Sequence, residues 1–161
     1  MTLIRIAAAA LLAISLFGSA APAKADIEVR VDKAAQRMTV IVDGVNSYTW
    51  VVSTGLGGGP PSGTFSPQRL ERKWNSRTFN WAPMPYSIFF DGPYAIHGTT
   101  HVKQLGQRAS KGCVRLHPDN AAILFDLVQK RGMKSTRIVV ESAAATRIDR
   151  RRAAKRLAAV R

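Results

Sequence analysis

Short runs in which apolar and polar residues alternate dominate the first half of the chain. Residues 27–31 alternate over their whole length, which is the period of a strand with one buried face. Residues 38–42 and 48–52 are further strand-like runs, and the Asp43-Gly44 pair between them is typical of a turn. Later apolar runs are also short enough to be strands: 87–90, 94–97, 114–116 and 137–140. The pattern predicts about seven strands.

One segment has the periodicity of a helix. Pro118 suits a first helical turn, Asp119 complements the positive end of the helix dipole, and Gly132 suits a position just past the helix end. Between them, apolar residues recur at helical spacing: Ala121, Ile123, Leu124, Leu127 and Val128. We therefore predict a mainly β fold, a sandwich or barrel-like sheet with this helix packed on it.

Two connecting segments are predicted to be irregular. Residues 55–63 are too rich in Gly and Pro for a regular element. A phosphate-binding loop would need a helix directly after the glycines, whereas residues 64–65 predict extended chain, so we reject that interpretation. Residues 66–85 carry Trp74 and Trp81, for which the core and a cleft wall are equal alternatives, while Trp50 on its alternating strand is expected to pack in the core.

Residues 1–25 predict a cleavable signal peptide. Arg5 gives a basic start, and the apolar run over 6–17 is shorter than the roughly 20 residues with which a helix crosses a bilayer. Small residues at Ala23 and Ala25 fit cleavage before Asp26. An uncleaved anchor or a buried helix is the alternative. We predict export to the periplasm or cell envelope and one folded domain over residues 26–141.

The charge of the chain is strongly basic. The 161 residues carry a formal net charge of +14 and one Cys, and 46% of them are hydrophobic, which excludes a disordered protein. A single Cys excludes a disulfide framework and a multi-Cys zinc site. Because we predict export, nucleic acid is not an expected partner. An anionic envelope surface or an acidic polymer fits the charge better, with simple solubility as the alternative.

Residues 142–161 form a basic tail, with seven basic residues and one acidic residue between Arg147 and Arg161. Its apolar residues are few, so we predict a solvated tail that is helical or disordered. Docking of this tail on anionic lipid or polymer is a sharper hypothesis, because basic clusters are attracted to such surfaces.

The only Cys is a candidate nucleophile. Gly112 precedes Cys113 and allows close backbone approach, while Lys111 and Arg115 flank it with positive charge that favours a thiolate. The predicted helix start at Pro118 adds positive potential. A small buried hydrophobic side chain is the alternative, since most free cysteines behave so.

A thiol nucleophile also requires a proton acceptor. His97 ends a predicted strand and precedes Gly98, so a rigid element holds it with space beside it. His101 lies within a polar loop and is expected to be solvated. His117 directly precedes the predicted helix and is expected to cap it or to lie exposed. The spacing of these residues and the thiol matches no familiar zinc site.

These residues resemble a known family. Residues 96–99, Ile-His-Gly-Thr, followed by residues 109–116, Ala-Ser-Lys-Gly-Cys-Val-Arg-Leu, are similar to the signature of bacterial L,D-transpeptidases. Residues 60–65 and 84–86 also look like upstream landmarks of that family. The resemblance covers about residues 27–141, and the double motif is far more specific than a lone Gly-rich loop.

The resemblance implies a fold and the roles of several residues. The fold would be a β-sandwich of L,D-transpeptidase type with one main helix packed on it, plus a basic C-terminal tail. Cys113 would be the nucleophile and His97 its proton donor and acceptor. The carbonyl of Gly98 would orient His97, and backbone N–H groups around Gly112 and Cys113 would form the oxyanion hole.

The resemblance also implies substrate contacts at Ser110, Lys111, Arg115 and Tyr86, with Ser110 shaping the loop and Arg115 holding a substrate carboxylate. Many family members have a second His where this chain has Lys111. This departure leaves open how the thiol is tuned and which acceptor is preferred.

The implied chemistry is acyl transfer on peptidoglycan, in cell-wall biogenesis and cell shape. Cys113 would attack the diaminopimelate–D-Ala amide of a stem peptide and pass the thioester to an acceptor amine of another stem or of an outer-membrane protein. No metal or organic cofactor is expected. The alternatives are an L,D-carboxypeptidase that uses water, a non-catalytic peptidoglycan-binding module, and a thiol oxidoreductase, which would usually have a second Cys.

Overall fold

The structure is a computed structural model that describes residues 26–141 and Ala158. The predicted signal peptide lies outside these residues, and so does the basic tail apart from Ala158. No helix among the described residues is long and apolar enough to cross a bilayer.

Strands dominate residues 26–141, with one α-helix. In chain order the elements are β1 Ile27–Asp32, β2 Arg37–Val42, β3 Val45–Val51, β4 Gly63–Phe65, β5 Arg69–Glu71, β6 Asn75–Ser76, β7 Ala82–Pro83, β8 Ser87–Asp91, β9 Tyr94–Gly98, β10 Val114–Leu116, α1 Pro118–Arg131 and β11 Thr136–Glu141. Two short 3₁₀ turns, Val102–Gln104 and Met133–Ser135, lie between them. This confirms the predicted mainly β fold with one main helix.

The strands form two main sheets and a small hairpin. The first sheet has the order β3-β2-β1-β11-β4, and the second has the order β10-β9-β8-β5. Strands β6 and β7 pair with each other as a separate two-stranded sheet. Two neighbouring pairs are parallel, β1 with β11 and β9 with β10, and the second of these pairs carries the candidate site.

One hydrophobic core joins the two sheets and the helix. Its fully buried side chains come from β1, from β9 and from α1, with Val29, Ile96 and Leu124 as examples. Helix α1 contacts β9 and β8 directly. The predicted apolar stripe explains this packing: Ala121, Leu124 and Val128 are buried, whereas Ile123 at its margin is 39% exposed.

The structure differs from the prediction in two places. Residues 66–85 contain the three short strands β5, β6 and β7, because strands of two or three residues are too brief to show a period. Strand β3 begins at Val45 rather than Tyr48, because it is a largely exposed edge strand whose polar residues do not alternate with buried ones.

The three tryptophans occupy different environments. Trp50 packs partly buried against the main core and stacks on Tyr48, with ring centroids 4.9 Å apart. Trp74 packs edge-on against Phe89 in a second small apolar cluster that also includes Cys113. Trp81 is 62% exposed, in the connection between β6 and β7.

Candidate active site

The parallel pair of β9 and β10 brings His97 and Cys113 to one site. His97 lies in β9, and Cys113 directly precedes β10. Val114 pairs with Ile96, so Cys113 falls beside Ala95, two positions from His97 on the neighbouring strand. Because alternate strand residues share a face, the two side chains are directed to the same side of the sheet. Both line one cavity of about 420 Å³.

His97 is buried and its ring orientation is fixed. Its Nδ1 lies 2.7 Å from the carbonyl oxygen of Gly98, which can only accept a hydrogen bond. Nδ1 therefore carries the proton, and Nε2 is left as the basic nitrogen of the neutral ring. Burial lowers the pKa of His97 to about 4; the Gly98 hydrogen bond opposes this decrease and the charge of Arg115 adds to it. The imidazole is therefore neutral at neutral pH.

Cys113 is also held in its neutral form. Burial raises the pKa of its thiol, although a backbone hydrogen bond at Ala95 and the charge of Arg115 both lower it. The Sγ lies 3.8 Å from the carbonyl oxygen of Pro93. The sequence predicted that flanking cations would favour the thiolate. Burial has the larger effect on the pKa of Cys113. The free-energy cost of removing a thiolate from water exceeds the stabilisation that the thiolate gains from Arg115 and from the backbone of Ala95.

The loop that carries Cys113 is closed by the hydroxyl of Ser110. Its Oγ donates to the carbonyl oxygen of Cys113 at 2.6 Å and accepts from the N–H of Gly112 at 3.0 Å. The N–H of Gly112, which the resemblance implies as part of an oxyanion hole, thus donates within its own loop in this structure, and its oxyanion role stays a prediction. The hydroxyl of Ser110 is buried and shapes this loop, and Ser110 also lines the cavity, so its contact with substrate stays a prediction.

The same loop packs unusually close to its neighbours. Gly112 has φ +142°, and a Cβ added there would lie 2.6 Å from Cε1 of Tyr94. From the opposite direction, a Cβ on Gly55 or Gly59 would lie 2.9 or 3.0 Å from Cα of Gly112. Contacts under 3.0 Å require something to move, so Gly55 and Gly112 need glycine, whereas a Cβ on Gly59, at 3.0 Å, would require its neighbours to shift by a few tenths of an ångström.

Positively charged side chains line the same cavity. Arg115 pairs in register with His97, and its Nη1 lies 3.2 Å from Oε1 of Gln104 and 3.5 Å from the carbonyl oxygen of Ala109. Lys111 is exposed and also lines the cavity. These two cations make the charge of the cavity lining complementary to a carboxylate.

The remaining residues singled out from the sequence differ in whether they line the cavity. Tyr86 is not among the residues that line the cavity, because its ring packs edge-on against Phe125 of the core, with centroids 6.0 Å apart. His117 caps α1 as predicted, accepting from the N–H of Asp119 at 3.4 Å. His101 lies exposed as predicted, although it also lines the cavity.

Several cavity residues had not been singled out from the sequence. Thr99 lies two residues after His97, so strand alternation could have identified it. Tyr94 and Phe79 also line the cavity, and no pattern in the sequence indicates this, whereas Met84, which lines it too, belongs to the family-like stretch of residues 84–86. Within residues 26–141, no group of three or more His, Cys, Asp or Glu side chains is arranged to hold a metal ion.

Known proteins of similar sequence and fold indicate the family of this chain. The family model of the L,D-transpeptidase catalytic domain, YkuD, matches residues 26–140. A curated protein of Escherichia coli (strain K12), the probable L,D-transpeptidase ErfK/SrfK, is 46% identical over 43 residues, which are 27% of this chain and 14% of that protein.

Solved structures with a similar fold include an L,D-transpeptidase from Stackebrandtia nassauensis, with 26% identity and a TM-score of 0.64, covering 80% of this chain and 62% of that one. The L,D-transpeptidase LdtMt1 in complex with imipenem has 25% identity and a TM-score of 0.63, covering 72% of this chain and 59% of that one. This chain therefore spans about three fifths of the length of these solved relatives.

Proposed function

Because the chain belongs to the L,D-transpeptidase catalytic domain family, we propose that it is a cysteine acyltransferase acting on peptidoglycan stem peptides. One observation carries the proposal. The only Cys of the chain and a neutral histidine of fixed tautomer line the same cavity. Nucleophilic acyl transfer requires this pair of groups.

The first half-reaction starts from two neutral groups. As Cys113 Sγ attacks the diaminopimelate carbonyl before D-Ala, Nε2 of His97 takes the thiol proton. The carbonyl oxygen becomes an oxyanion, for which we assign the backbone N–H of Cys113 as a donor. The carbon–nitrogen bond then breaks, His97 returns the proton to the leaving amine of D-Ala, and a thioester remains on Cys113.

The second half-reaction transfers the acyl group. An incoming amine attacks the thioester carbonyl, neutral His97 accepts its proton, and the thiol is regenerated with that proton. A second stem peptide or a protein amine of the envelope, such as that of an outer-membrane protein, would give a new amide. Water would give an L,D-carboxypeptidase. Arg115 and Lys111 support peptide substrates with free carboxylates, because both cations line the cavity.

The location follows from the substrate. Peptidoglycan lies in the cell envelope, and the signal peptide predicted over residues 1–25 would deliver the chain there. We further propose that the basic tail of residues 142–161 adds attraction to anionic envelope surfaces.

The first experiment is intact-protein mass spectrometry after mixing the protein with imipenem, whose strained carbonyl can acylate the thiol. We expect one adduct on the wild type, none on Cys113→Ala, and acylation of His97→Ala at least 100-fold slower, since a positioned base contributes about 10²–10⁴-fold. His117→Ala, at a histidine that does not line the cavity, serves as the matched control for histidine removal and should react within about threefold of the wild type.

The absence of an adduct on a folded wild type with a titratable thiol would contradict acyl transfer. A non-catalytic peptidoglycan-binding module would then be the remaining interpretation, and binding of isolated sacculi would be measured. If the adduct forms, incubation with tetrapeptide stems and mass analysis of the products separates cross-linked dimers from hydrolysed tripeptides, and so distinguishes an amine acceptor from water.

A further inference from the structure

Lys33 is a buried cation that the proposed reaction does not use. It lies in the turn between β1 and β2, its side chain is only 9% exposed, and it does not line the cavity. Its Nζ donates to the carbonyl oxygens of Gly58 and Pro60, at 2.9 and 2.8 Å. Burying an ammonium group costs free energy, and these two hydrogen bonds offset part of that cost.

A neighbouring side chain ties the same turn to the next segment. The amide of Gln36 is buried, and its Nε2 donates to the carbonyl oxygen of Lys33 and to Oγ1 of Thr54, both at 2.7 Å. Its Oε1 accepts from the N–H of Thr54 at 2.8 Å. The backbone of Gln36 has φ +51°, which is uncommon for a residue with a side chain. Lys33 and Gln36 together therefore anchor residues 54–60.

Residues 54–60 in turn hold the loop of the nucleophile. The carbonyl oxygen of Thr54 accepts from the N–H groups of Ala109 and Ser110, both at 3.0 Å, and the N–H of Leu56 donates to the carbonyl oxygen of Ser110 at 3.0 Å. Gly55 and Gly59 both lie against Gly112, where an added Cβ would be 2.9 and 3.0 Å from its Cα. A displacement of residues 54–60 would therefore be transmitted to Gly112 and Cys113.

We propose that Lys33 is a positioning residue for acyl transfer. By holding the carbonyl groups of Gly58 and Pro60, it keeps Gly59 pressed against Gly112 and so sets the direction of the Cys113 backbone N–H. This direction matters when negative charge develops on the substrate oxygen, because an oxyanion donor must lie within hydrogen-bond distance of that oxygen. The inference rests on the proposed function, in which Cys113 is acylated.

The test compares two reactions of the same thiol in the full-length protein. Iodoacetamide alkylates Cys113 without forming an oxyanion, whereas imipenem acylates it through one. We expect Lys33→Met to reduce the rate of acylation by about 100-fold, the size of effect seen when one oxyanion donor is lost, and to change the rate of alkylation less than threefold. Lys130→Met, which removes an exposed lysine on α1, should change neither rate.

Equal loss of both rates in Lys33→Met would indicate general disruption and overturn the proposal, as would an unchanged rate of acylation. Should Lys33→Met fail to fold by circular dichroism, Lys33→Gln, which keeps one amide donor, is measured with the same two reagents and judged by the same ratio. If the wild type is alkylated but not acylated, the proposed function itself fails, so the two failures are distinguishable.

Discussion

The protonation states of single residues determine how the proposed reaction begins. Burial disfavours the charged form of either group, and it therefore lowers the pKa of His97 and raises the pKa of Cys113. A thiol and an imidazole are therefore the resting pair, and the proton moves while the carbon–sulfur bond forms. In the proposed reaction His97 would therefore act as the base throughout this step, because Cys113 would not enter it as a preformed thiolate.

The pKa of His97 predicts the pH dependence of acylation. The free imidazole is the active form, so the rate of imipenem acylation should fall as pH falls through about 4, and should be nearly constant between pH 5.5 and 7. Stopped-flow acylation across this range, with circular dichroism at each pH to verify folding, checks the prediction. A half-maximal rate near pH 6.5, the ordinary value for histidine, would contradict it.

Sequence patterns identified these two residues but not their charge states. The motifs around His97 and Cys113 are local, so the sequence indicated both positions. Burial depends instead on side chains that come from distant segments, such as Trp74 and Met84 in the cluster beside Cys113. For this reason the flanking cations suggested a thiolate, whereas the packed structure favours the thiol.

At the scale of elements, the site depends on two loops in backbone contact. The Gly-rich loop of residues 55–59 and the loop of residues 110–113 approach so closely that no side chain fits between them. The sequence predicted that residues 55–63 are irregular, and the structure agrees up to residue 62, because β4 begins at Gly63. The sequence did not indicate why the glycines are there, because the contact joins segments about 50 residues apart in the chain.

This contact predicts different effects for two Gly→Ala substitutions. Gly112→Ala places a Cβ 2.6 Å from Tyr94 at φ +142°, so we expect about 100-fold slower acylation by imipenem and about 1–3 kcal/mol lower stability. Gly57→Ala, in the facing loop, meets nothing within 4 Å and is the matched control. Acylation rates and urea unfolding of both variants test this, and similar behaviour of the two variants would contradict the steric explanation.

At the scale of the whole molecule, one core supports the site. The predicted strands and helix were recovered because their apolar periodicity reflects this core, which joins both sheets to α1. The order of the strands was not predicted. The parallel pairing of β1 with β11 joins the two ends of the described domain, and no local pattern reports such a long-range contact.

Because the core is shared by both sheets and α1, truncating one buried side chain of α1 should lower the free energy of unfolding of the described residues. Leu124 is fully buried where α1 packs on the sheets, so Leu124→Ala should lower the free energy of unfolding by about 2–5 kcal/mol. Ile123→Ala, at a 39% exposed position next to it, should cost less than about 1 kcal/mol. Urea denaturation followed by tryptophan fluorescence measures both, and equal losses would argue against this packing.

The raised pKa of Cys113 also affects the durability of the protein. Peroxides and disulfides attack cysteine through the thiolate, and a thiol whose pKa is raised holds little of that form at neutral pH. We therefore expect slow oxidation of Cys113, even though it lines a cavity. In the oxidising compartment to which the predicted signal peptide would deliver the chain, burial would thus protect a lone cysteine without a dedicated reductant, while the proposed reaction would depend on His97 for every attack.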